Sequence, residues 1–598
     1  MDNGRDKQKW RLSLLAAAVL LTVIAYFFFS SGFHFDKAWS QDELDAGVAP
    51  SVKLDFGHGP VAHPDPGSRP NDASINLQPG EHIYREAKTI ELEWNVTKAV
   101  VRPDGVAKEV FLVNGAFPGP TIECRQGDEL KIVVRNELSN SSDELAIHWH
   151  GMNVSNDMDG VAGISQCGIM PGRNFTYRFN MSNFGTYWWY GDQRSEGLFG
   201  ALIVHEPASS DSEGDADHEF EQLLMVGDWY HQPAQHILKE YHAFGVEPSP
   251  DSMLINGQGY FACSMALPDR PVDCEDTKTP YLSIAGPTRL RIVNTGTLTG
   301  ISITVSGFSM TLLEVEGGQA VDRVLSTRLG ILDPGERVDV LLERLEESTS
   351  GWMTITLDRE HLDFPNLALT AEQQFPIAIP LDSDRLSASE EPSPKAEATH
   401  VSWIDLATIN ASTTPAEALP EAADQTFVLY TNITQSEEDE YRPRGSFNDT
   451  SWTPALTRTP LIALPTSAWP IDPAPLIVYV QQDQWIDLII HNDDRVGHSF
   501  HLHGQSFYVL NVRQQNDNRV EKSLGLRRSS KKDTIHVPSE AYAVLRFKAE
   551  NGGLWLLQSS ILLHQAIGLN MLIEVQPVDE SQWVALRGHA EAQCREQS

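Results

Sequence analysis

The sequence predicts an all-β protein in which three β-sandwich domains follow one N-terminal transmembrane helix. The first observation is a pattern that occurs once in each of three blocks, a β-branched run that stops at Asn. The second is the frequency of turn-forming residues between short apolar runs, which is typical of sandwiches. The third is that the sequence has no long amphipathic helix period. The β-branched runs are residues 130–136, 290–294 and 485–492.

A second correspondence links the first and third blocks. Residues 179–190 read FNMSNFGTYWWY, and residues 547–558 read FKAENGGLWLLQ. Phe, Asn and Gly stand at the same offsets in both segments, and each segment continues into an aromatic or aliphatic run. We therefore predict that the blocks descend from one repeated unit, with the strands in equivalent places.

The length of 598 residues predicts three or four domains, at roughly 100–200 residues each. An acidic run at 209–219 and a Ser-, Glu-, Pro- and Ala-rich stretch after residue 380 indicate linkers. The predicted organisation is a cytoplasmic tail and signal-anchor helix (1–33), a stem (34–84), a first domain (85–208), a second domain (218–380), a linker (381–424), a third domain (425–580) and a C-terminal tail (581–598).

The N-terminal segment predicts a single-pass membrane protein. Residues 12–29 are apolar apart from Ser13 and Thr22, and as a helix they would reach about 27 Å. Basic residues precede them, which predicts a cytoplasmic N-terminus and a lumenal or extracellular remainder. A cleaved signal peptide remains the alternative, although no clean A-x-A site follows. The basic residues are Arg5, Lys7, Lys9 and Arg11.

Composition agrees with a secretory route. The net charge of −37 argues against nucleic-acid binding, which needs a cationic surface. Among the 5 cysteines, Cys263 and Cys274 are close enough in sequence for a local disulfide, and the odd count leaves one thiol over. N-glycosylation sequons, typical of secreted proteins, occur at Asn95, Asn140, Asn153, Asn174, Asn180, Asn410, Asn432 and Asn448.

Two His-x-His motifs carry the chemistry of the sequence. His148 and His150 close a predicted strand of the first block, and His501 and His503 lie in the third, three residues after His498. Residues i and i+2 of a strand point to the same side, so each pair of imidazoles faces one site. Imidazole is a good ligand for copper and zinc. Paired motifs in matching blocks predict one shared metal site.

The surrounding motifs give the chain a resemblance to a known family. HWHG at 148–151, QCGIMPG at 166–172, GTYW at 185–188, LING at 254–257, LDPGERVD at 332–339 and HSFHLHG at 498–504 resemble the motifs of laccases and other multicopper oxidases. The resemblance runs from about residue 91 to 575. It implies three cupredoxin-like Greek-key sandwiches. It also implies a blue copper that takes electrons from substrates and a trinuclear copper cluster that reduces dioxygen.

The resemblance also implies a role for each conserved histidine. His148 would bind the type 2 copper and His150 a type 3 copper. In the third block, His498 would bind type 1 copper, His501 type 2 and His503 type 3. These two of the family's four ligand segments are intact.

The last ligand segment departs from the family pattern. Where the family has His-Cys-His, this chain has Gln558, Ser559 and Ser560, while His564 keeps the next ligand position and Leu569 the weak axial one. A blue copper site needs the thiolate, and a serine hydroxyl is a poor substitute for it. The electron route through the two flanking histidines is lost as well.

The second ligand segment is also altered. Its His-x-His is replaced by Tyr190-Gly-Asp192, and the stretch that follows is about three residues short. Each type 3 copper would therefore keep only one imidazole, whereas the type 2 pair survives. The full four-copper set is not expected.

A residual metal site remains open to two interpretations. The imidazoles of His148, His150, His501 and His503 should converge between the first and third domains, with Asp192 as a harder extra ligand. One Cu²⁺ or Zn²⁺ could bind there. The alternative is a hydrogen-bonded polar interface without metal.

The remaining residues implied by the resemblance are structural. His498 and His564 lack their thiolate partner, so we expect them to pack and to form hydrogen bonds. By the family's pattern, Cys167 would pair with Cys594, and Cys124 would then be the odd thiol.

Three functions follow from these expectations. The first is a membrane-tethered pseudo-oxidase that binds a small aromatic ligand or partners an active oxidase in the same membrane. The alternative is a repurposed oxidoreductase that acts on a phenolic or other small substrate at a mono- or dinuclear copper site. An ordinary laccase or ferroxidase is the third, and the missing thiolate argues against it.

Overall fold

The computed structural model describes residues 71–597 of the chain, all of which belong to the unit Pro64–Ser598. Segments 141–142, 209–217, 269, 346–347, 349–350, 363–365, 380–398, 413–417, 438–439, 455–458, 470–473, 515–525 and 527 are left out of the description. The predicted transmembrane helix and most of the predicted stem lie outside the described residues. Within those residues, no helix has the length and apolar character needed to span a bilayer.

The first domain is a sandwich of two four-stranded sheets, ordered β3-β2-β5-β7 and β4-β9-β8-β6. Its core is rich in tryptophan, with Trp94, Trp149 and Trp189 buried between the sheets. From the start of the described residues to the end of the first domain, the strands are β1 Ile75–Asn76, β2 Thr89–Val101, β3 Lys108–Val113, β4 Ile122–Arg125, β5 Glu129–Asn136, β6 His148–His150, β7 Asn174–Asn180, β8 Gly185–Tyr190 and β9 Phe199–His205.

The second domain pairs a ten-stranded sheet with a five-stranded sheet around an aliphatic core. The α-helix α1, Ala234–Phe244, lies in this domain. Its strands are β10 Phe220–Trp229, β11 Ser252–Ile255, β12 Gln258–Gly259, β13 Leu282–Ser283, β14 Thr288–Asn294, β15 Ile301–Ser306, β16 Phe308–Val315, β17 Gln319–Ala320, β18 Val324–Ser326, β19 Arg328–Leu332, β20 Arg337–Arg344, β21 Gly351–Leu357, β22 Glu372–Ala378 and β23 Thr399–His400.

The third domain has a six-stranded sheet, β25-β24-β27-β32-β29-β30, and a five-stranded sheet, β26-β34-β33-β28-β31. These strands are β24 Gln425–Thr434, β25 Arg444–Phe447, β26 Ile477–Gln481, β27 Trp485–Asn492, β28 His498–Leu502, β29 Phe507–Gln514, β30 Lys531–Lys532, β31 Thr534–Val537, β32 Ala541–Lys548, β33 Gly553–Ser559 and β34 Asn570–Gln576. Helices α2 Leu562–Ala566 and α3 Glu580–Gln597 complete it. Short 3-10 helices lie at Pro79–Glu81, Asn156–Met158, Arg194–Glu196, Cys263–Met265, Leu406–Thr408, Leu461–Ala463 and Thr466–Ala468.

The three runs that stop at Asn occupy equivalent strands, β5, β14 and β27. Each pairs in parallel with the first long strand of its domain and antiparallel with a later strand. The terminal residues Asn136, Asn294 and Asn492 are buried, and each side-chain amide donates to backbone carbonyls of the next loops. Each buried asparagine thus ties the end of its strand to the loops beside it through hydrogen bonds to their carbonyls. The all-β prediction is confirmed.

Two strands and one α-helix lie outside the predicted domain bounds. β1, at the end of the predicted stem, pairs with β10 of the second domain. β23, in the predicted linker, pairs with β18. The predicted tail forms α3, which the sequence did not indicate because its apolar residues form no continuous stripe, and few of its side chains are buried.

The cysteines pair as expected. Cys263 bonds Cys274 and Cys167 bonds Cys594, which attaches α3 to the first domain. Both predicted disulfides are confirmed. Cys124 is a buried free thiol.

Candidate functional site

The two His-x-His strands meet between the first and third domains. β6 pairs with β8, so that His148 lies opposite Tyr190. β28 lies between β31 and β33, so that His501 lies opposite Thr534 and Gln558. The Nε2 atoms of His148 and His501 are 3.3 Å apart. Two sequence segments separated by 353 residues thus form one site.

Each of three imidazoles is held through its Nδ1 atom. Nδ1 of His148 is 2.7 Å from the backbone carbonyl of Asp159, and Nδ1 of His501 is 2.9 Å from the carbonyl of Asp533. Nδ1 of His503 lies 3.1 Å from the Asp159 carboxylate. Since carbonyl and carboxylate oxygens only accept, each Nδ1 donates and each Nε2 keeps its lone pair. This arrangement fixes the tautomer in the way typical of metal-binding histidines.

The three ring nitrogens converge without a proton between them. Ligand atoms of His148, His501 and His503 all lie within 4.8 Å of one another. The Nε2 atom of His503 is buried and has no hydrogen-bond partner among the described residues. Lone pairs that face each other in a buried site repel, and a cation removes that repulsion. The three residues, which we call the histidine triad, therefore fit one copper ion.

Two buried aspartates set the electrostatics of the triad. Burial alone would raise the pKa of Asp159, but His503 and His148 hold that pKa well below its usual range. Burial opposes the charge of Asp533 as well, and Arg337 keeps its pKa far below normal through a bidentate ion pair. Both carboxylates are therefore charged, and they offset the charge of a bound cation.

Of the two other ligands predicted for this site, His150 lies beside the triad and forms a second group of converging ligand atoms with His501 and Asp533, whereas Asp192 lies apart. Nε2 of His150 is 2.9 Å from the Thr534 hydroxyl and 3.2 Å from the Asp533 carboxylate, and its ring stacks on that of His501 at 3.6 Å. Asp192 lies on the turn after β8, where its side chain is exposed, and it belongs to none of the groups of converging ligand atoms in the described residues.

Aromatic and amide side chains stand at two positions where the family resemblance implies further histidines. The Tyr190 ring is buried, with its centroid 5.3 Å from that of His148 and 5.8 Å from that of His150. The Gln558 amide donates to the Tyr190 hydroxyl at 3.3 Å and accepts from Gln565 at 2.6 Å. These uncharged groups satisfy one another and leave few free lone pairs for a second or third metal.

The region of the expected blue copper contains imidazoles without a sulfur ligand. Nδ1 of His498 is 3.1 Å from Nδ1 of His564, and Nε2 of His498 is 2.7 Å from the Asp494 carboxylate. The Ser559 hydroxyl accepts from the backbone N–H of Ile561 at 3.2 Å. This donor set does not fit a blue copper, which requires a thiolate.

Sequence reasoning missed the residues that anchor the triad. Nothing in the sequence shows that Asp159 and Asp533 hold Nδ1 atoms. Arg337 comes from the second domain and reaches Asp533 across 196 residues of chain. Glu247 contacts His564, and His361 contacts Glu247. No sequence motif indicated either of these two residues.

The paired histidines thus lie at the junction of two β-sandwich domains. Multicopper oxidase family models match residues 95–209, 220–371 and 432–579. The chain therefore belongs to the multicopper oxidase family.

Curated relatives agree with this assignment. The chain is 27% identical over 534 residues to Laccase-1 of Cryptococcus neoformans var. grubii, which covers 82% of this chain and 80% of that protein. It is 27% identical over 526 residues to the iron transport multicopper oxidase fetC of Epichloe festucae, at coverages of 84% and 78%.

Solved structures show the shared fold. The laccase of Botrytis aclada superposes with a TM-score of 0.69 at 23% identity, and the match covers 88% of this chain and 97% of that one. Fet3p, described as a multicopper oxidase that functions in iron import, superposes with a TM-score of 0.68 at 21% identity, at coverages of 85% and 94%. The three domains are thus cupredoxin-like.

Copper binding by the triad is expected to persist in mild acid. Burial, followed by the charge of His148, lowers the pKa of His503 to about 3, and burial also lowers the pKa of His501. A lowered pKa keeps imidazole neutral, and so able to bind metal, at lower pH. An exposed histidine of pKa ~6.5 would lose about 30-fold in neutral fraction by pH 5.

We therefore expect Cu²⁺ affinity to fall far less between pH 7 and pH 5 than three exposed histidines would allow. Competition titrations against a chelator of known proton affinity at both pH values measure the change. An unstructured peptide with three histidines is the control. A loss equal to that of the peptide would contradict the lowered pKa of His501 and His503.

Proposed function

We propose that this protein is a pseudo-oxidase of the multicopper oxidase family that holds a reduced copper complement at the histidine triad. The observation that carries the proposal is the convergence of ring nitrogens from three buried histidines, each of which is held by a hydrogen bond at its Nδ1 atom. A bound copper supplies a Lewis-acid and one-electron redox centre. His148, His501 and His503 orient it, while Asp159 and Asp533 keep the proton on each Nδ1.

The side chains present do not support the family's four-copper reaction. Tyr190 and Gln558 occupy two positions where the family has imidazoles, and they form a hydrogen bond to each other. Ser559 replaces the thiolate through which electrons would leave the substrate. Substrate oxidation at the blue copper and dioxygen reduction at the cluster would therefore both lack essential groups.

A small aromatic ligand is the proposed binding partner, besides an active oxidase in the same membrane. A groove of about 310 Å³ in the first domain supports a ligand of one or two rings. Ile90, Leu92, Pro120 and Ile122 contribute apolar lining. Calorimetric titration with simple phenols tests this part, and unchanged binding by a Leu92→Asp variant would count against the groove.

Oxygen uptake tests the pseudo-oxidase directly. Copper-loaded protein is given a phenol or ferrous iron, the latter because the relative from Epichloe festucae is named an iron transport oxidase. We expect no catalytic oxygen consumption above that of protein stripped with a chelator. Sustained turnover that yields water would overturn the proposal.

A repurposed oxidoreductase is the second candidate, and the same triad favours it. If the triad performs oxidative or Lewis-acid chemistry on a small substrate, a His148→Ala, His501→Ala double variant loses that activity. Undiminished activity in the double variant would remove this candidate.

The secretory location is likewise a proposal. Two disulfides support an oxidising compartment. Exposed sequon asparagines support glycosylation, which a mobility shift on glycosidase treatment would reveal, and a protein without any shift would argue against this route. These exposed asparagines are Asn140, Asn153, Asn174, Asn180, Asn410 and Asn448.

A further inference from the structure

A small interior cavity lies between the first and second domains, and no histidine of the triad lines it. Its volume is about 10 Å³, and the residues that line it are buried. That space admits one water-sized or monatomic occupant and excludes an organic ligand. Arg194 and Ser195 reach the cavity from the 3-10 helix that follows β8, and Trp229 reaches it from the end of β10.

Three hydrogen-bond donors at this cavity lack an acceptor within the described part of the chain. They are the Nε–H group of Arg194, the Nε1–H group of Trp229 and the Oγ hydroxyl of Ser195. Arg194 and Trp229 are each 3% exposed, so bulk solvent does not satisfy them. Buried donors are normally paired with the protein or with an ordered occupant. Since all three residues line one cavity, a single occupant can accept from all of them.

The surroundings of the cavity are positively charged. The Arg194 guanidinium donates to the backbone carbonyl of Ser560. The Lys108 ammonium donates to two backbone carbonyls and lies 4.0 Å from the centroid of a Trp229 ring. Burial lowers the pKa of Lys108 to about 8, and the ammonium remains charged at neutral pH. Among the residues that the structure describes, neither cation forms an ion pair with a carboxylate, and buried cations of this kind favour an anion beside them.

The acid that lines the cavity has hydrogen-bond donors of its own. The Asp228 carboxylate accepts from the backbone N–H groups of residues 297–299 at 2.8–2.9 Å. The Thr297 hydroxyl donates to it as well, at 2.9 Å. These four donors offset the charge of Asp228 without any contribution from Arg194 or Trp229. The unpaired donors at the cavity therefore remain available to an occupant.

A halide matches this set of donors better than a water molecule does. A water accepts from two donors and must also place two protons of its own, whereas a halide accepts from three or more donors and donates to none. Its negative charge also offsets the guanidinium charge. We infer that Arg194, Ser195 and Trp229 bind one chloride-sized halide ion at the boundary of the first two domains.

The inferred ion lies next to both altered ligand segments. The Arg194 guanidinium is 4.8 Å from the centroid of the Tyr190 ring, and it donates to the carbonyl of Ser560. An anion that holds the guanidinium therefore also fixes the groups that stand where the family resemblance implies copper ligands. Because donors from two domains contact the ion, its binding energy stabilises their docked arrangement.

Thermal unfolding of the metal-free, full-length protein tests the inference. Chloride is exchanged for gluconate at constant ionic strength, and we expect the unfolding midpoint to rise with chloride concentration. Iodide, which is larger than the cavity allows, should raise it less. Arg194→Met should remove the chloride dependence. Arg178→Met removes a 63% exposed arginine of the same domain, and this control should keep the full response.

Each outcome decides the inference. A chloride response that is equal in Arg194→Met and in the unmodified protein would overturn it. If that variant does not fold, Trp229→Phe keeps a ring beside Lys108 and removes the N–H donor, so chloride affinity should fall at least about 10-fold. Unchanged affinity in Trp229→Phe would equally overturn the inference.

Diffraction from crystals grown in bromide gives an independent readout. An anomalous bromine peak is expected within hydrogen-bond distance of Arg194 and Trp229, and a cavity that contains only water would contradict the assignment. The protein in these experiments carries no metal. Failure of halide binding is therefore distinguishable from failure of copper binding at the triad.

Discussion

Protein stripped of metal and titrated with Cu²⁺ is expected to take up about one ion at the histidine triad, without an intense blue absorption band. The three Nε2 atoms supply a nitrogen ligand set, and imidazole copper without thiolate absorbs weakly. Paramagnetic resonance should show a type 2 signal with nitrogen couplings.

A matched pair of variants locates the copper. His501→Ala removes the triad imidazole that lies 3.3 Å from His148. The affinity for Cu²⁺ should fall by at least about 100-fold. His491→Ala changes a histidine of the same domain that stacks on Tyr430 and Tyr542, and it should retain affinity. Four coppers per chain with an intense thiolate-like band would contradict the assignment of a single copper to the triad.

Arg337→Ala is expected to cost about 3–5 kcal/mol of unfolding free energy. Arg337 is fully buried and donates to both oxygens of Asp533 at 2.7 and 2.5 Å, as well as to Glu316. Its removal leaves a buried carboxylate without its main cation. Because Asp533 also contacts His150 and His501, we expect weaker copper binding in the same variant.

Urea denaturation followed by tryptophan fluorescence measures this loss, and unfolding of each domain must be fitted separately. Arg178→Ala is the control, since Arg178 makes an equally close ion pair with Glu129 but is 63% exposed. It should change stability by less than about 1 kcal/mol. Equal effects of the two substitutions would mean that Arg337 does not couple the second domain to the site.

The sequence predicted those features that depend on local pattern or repeat. Strand runs that end at buried asparagines revealed three equivalent domains, because the same backbone carbonyls need the same partner each time. His-x-His spacing revealed that His148 and His501 face one site. It did not reveal that Nε2 of His150 contacts the Thr534 hydroxyl. That contact depends on the side-chain rotamer of His150 at the interface with the third domain.

Long-range partners could not be predicted. Asp533 and Arg337 meet only after two domains dock. Nothing in the sequence around Asp533 shows that it anchors a histidine. Glu247 and His361 are single residues in loops, and only the folded chain brings them to His564. Asp192 has the right chemistry for a ligand, but the turn after β8 leaves its side chain in solvent.

The Cys167–Cys594 bond closes a covalent ring that passes through all three domains, with 427 residues between the two cysteines. Two members of the triad, His501 and His503, lie within this ring, and His148 precedes Cys167 by 19 positions. One proteolytic cut between the domains would therefore open the ring without separating its pieces. The severed halves would run as one species on a non-reducing gel and as two after reduction.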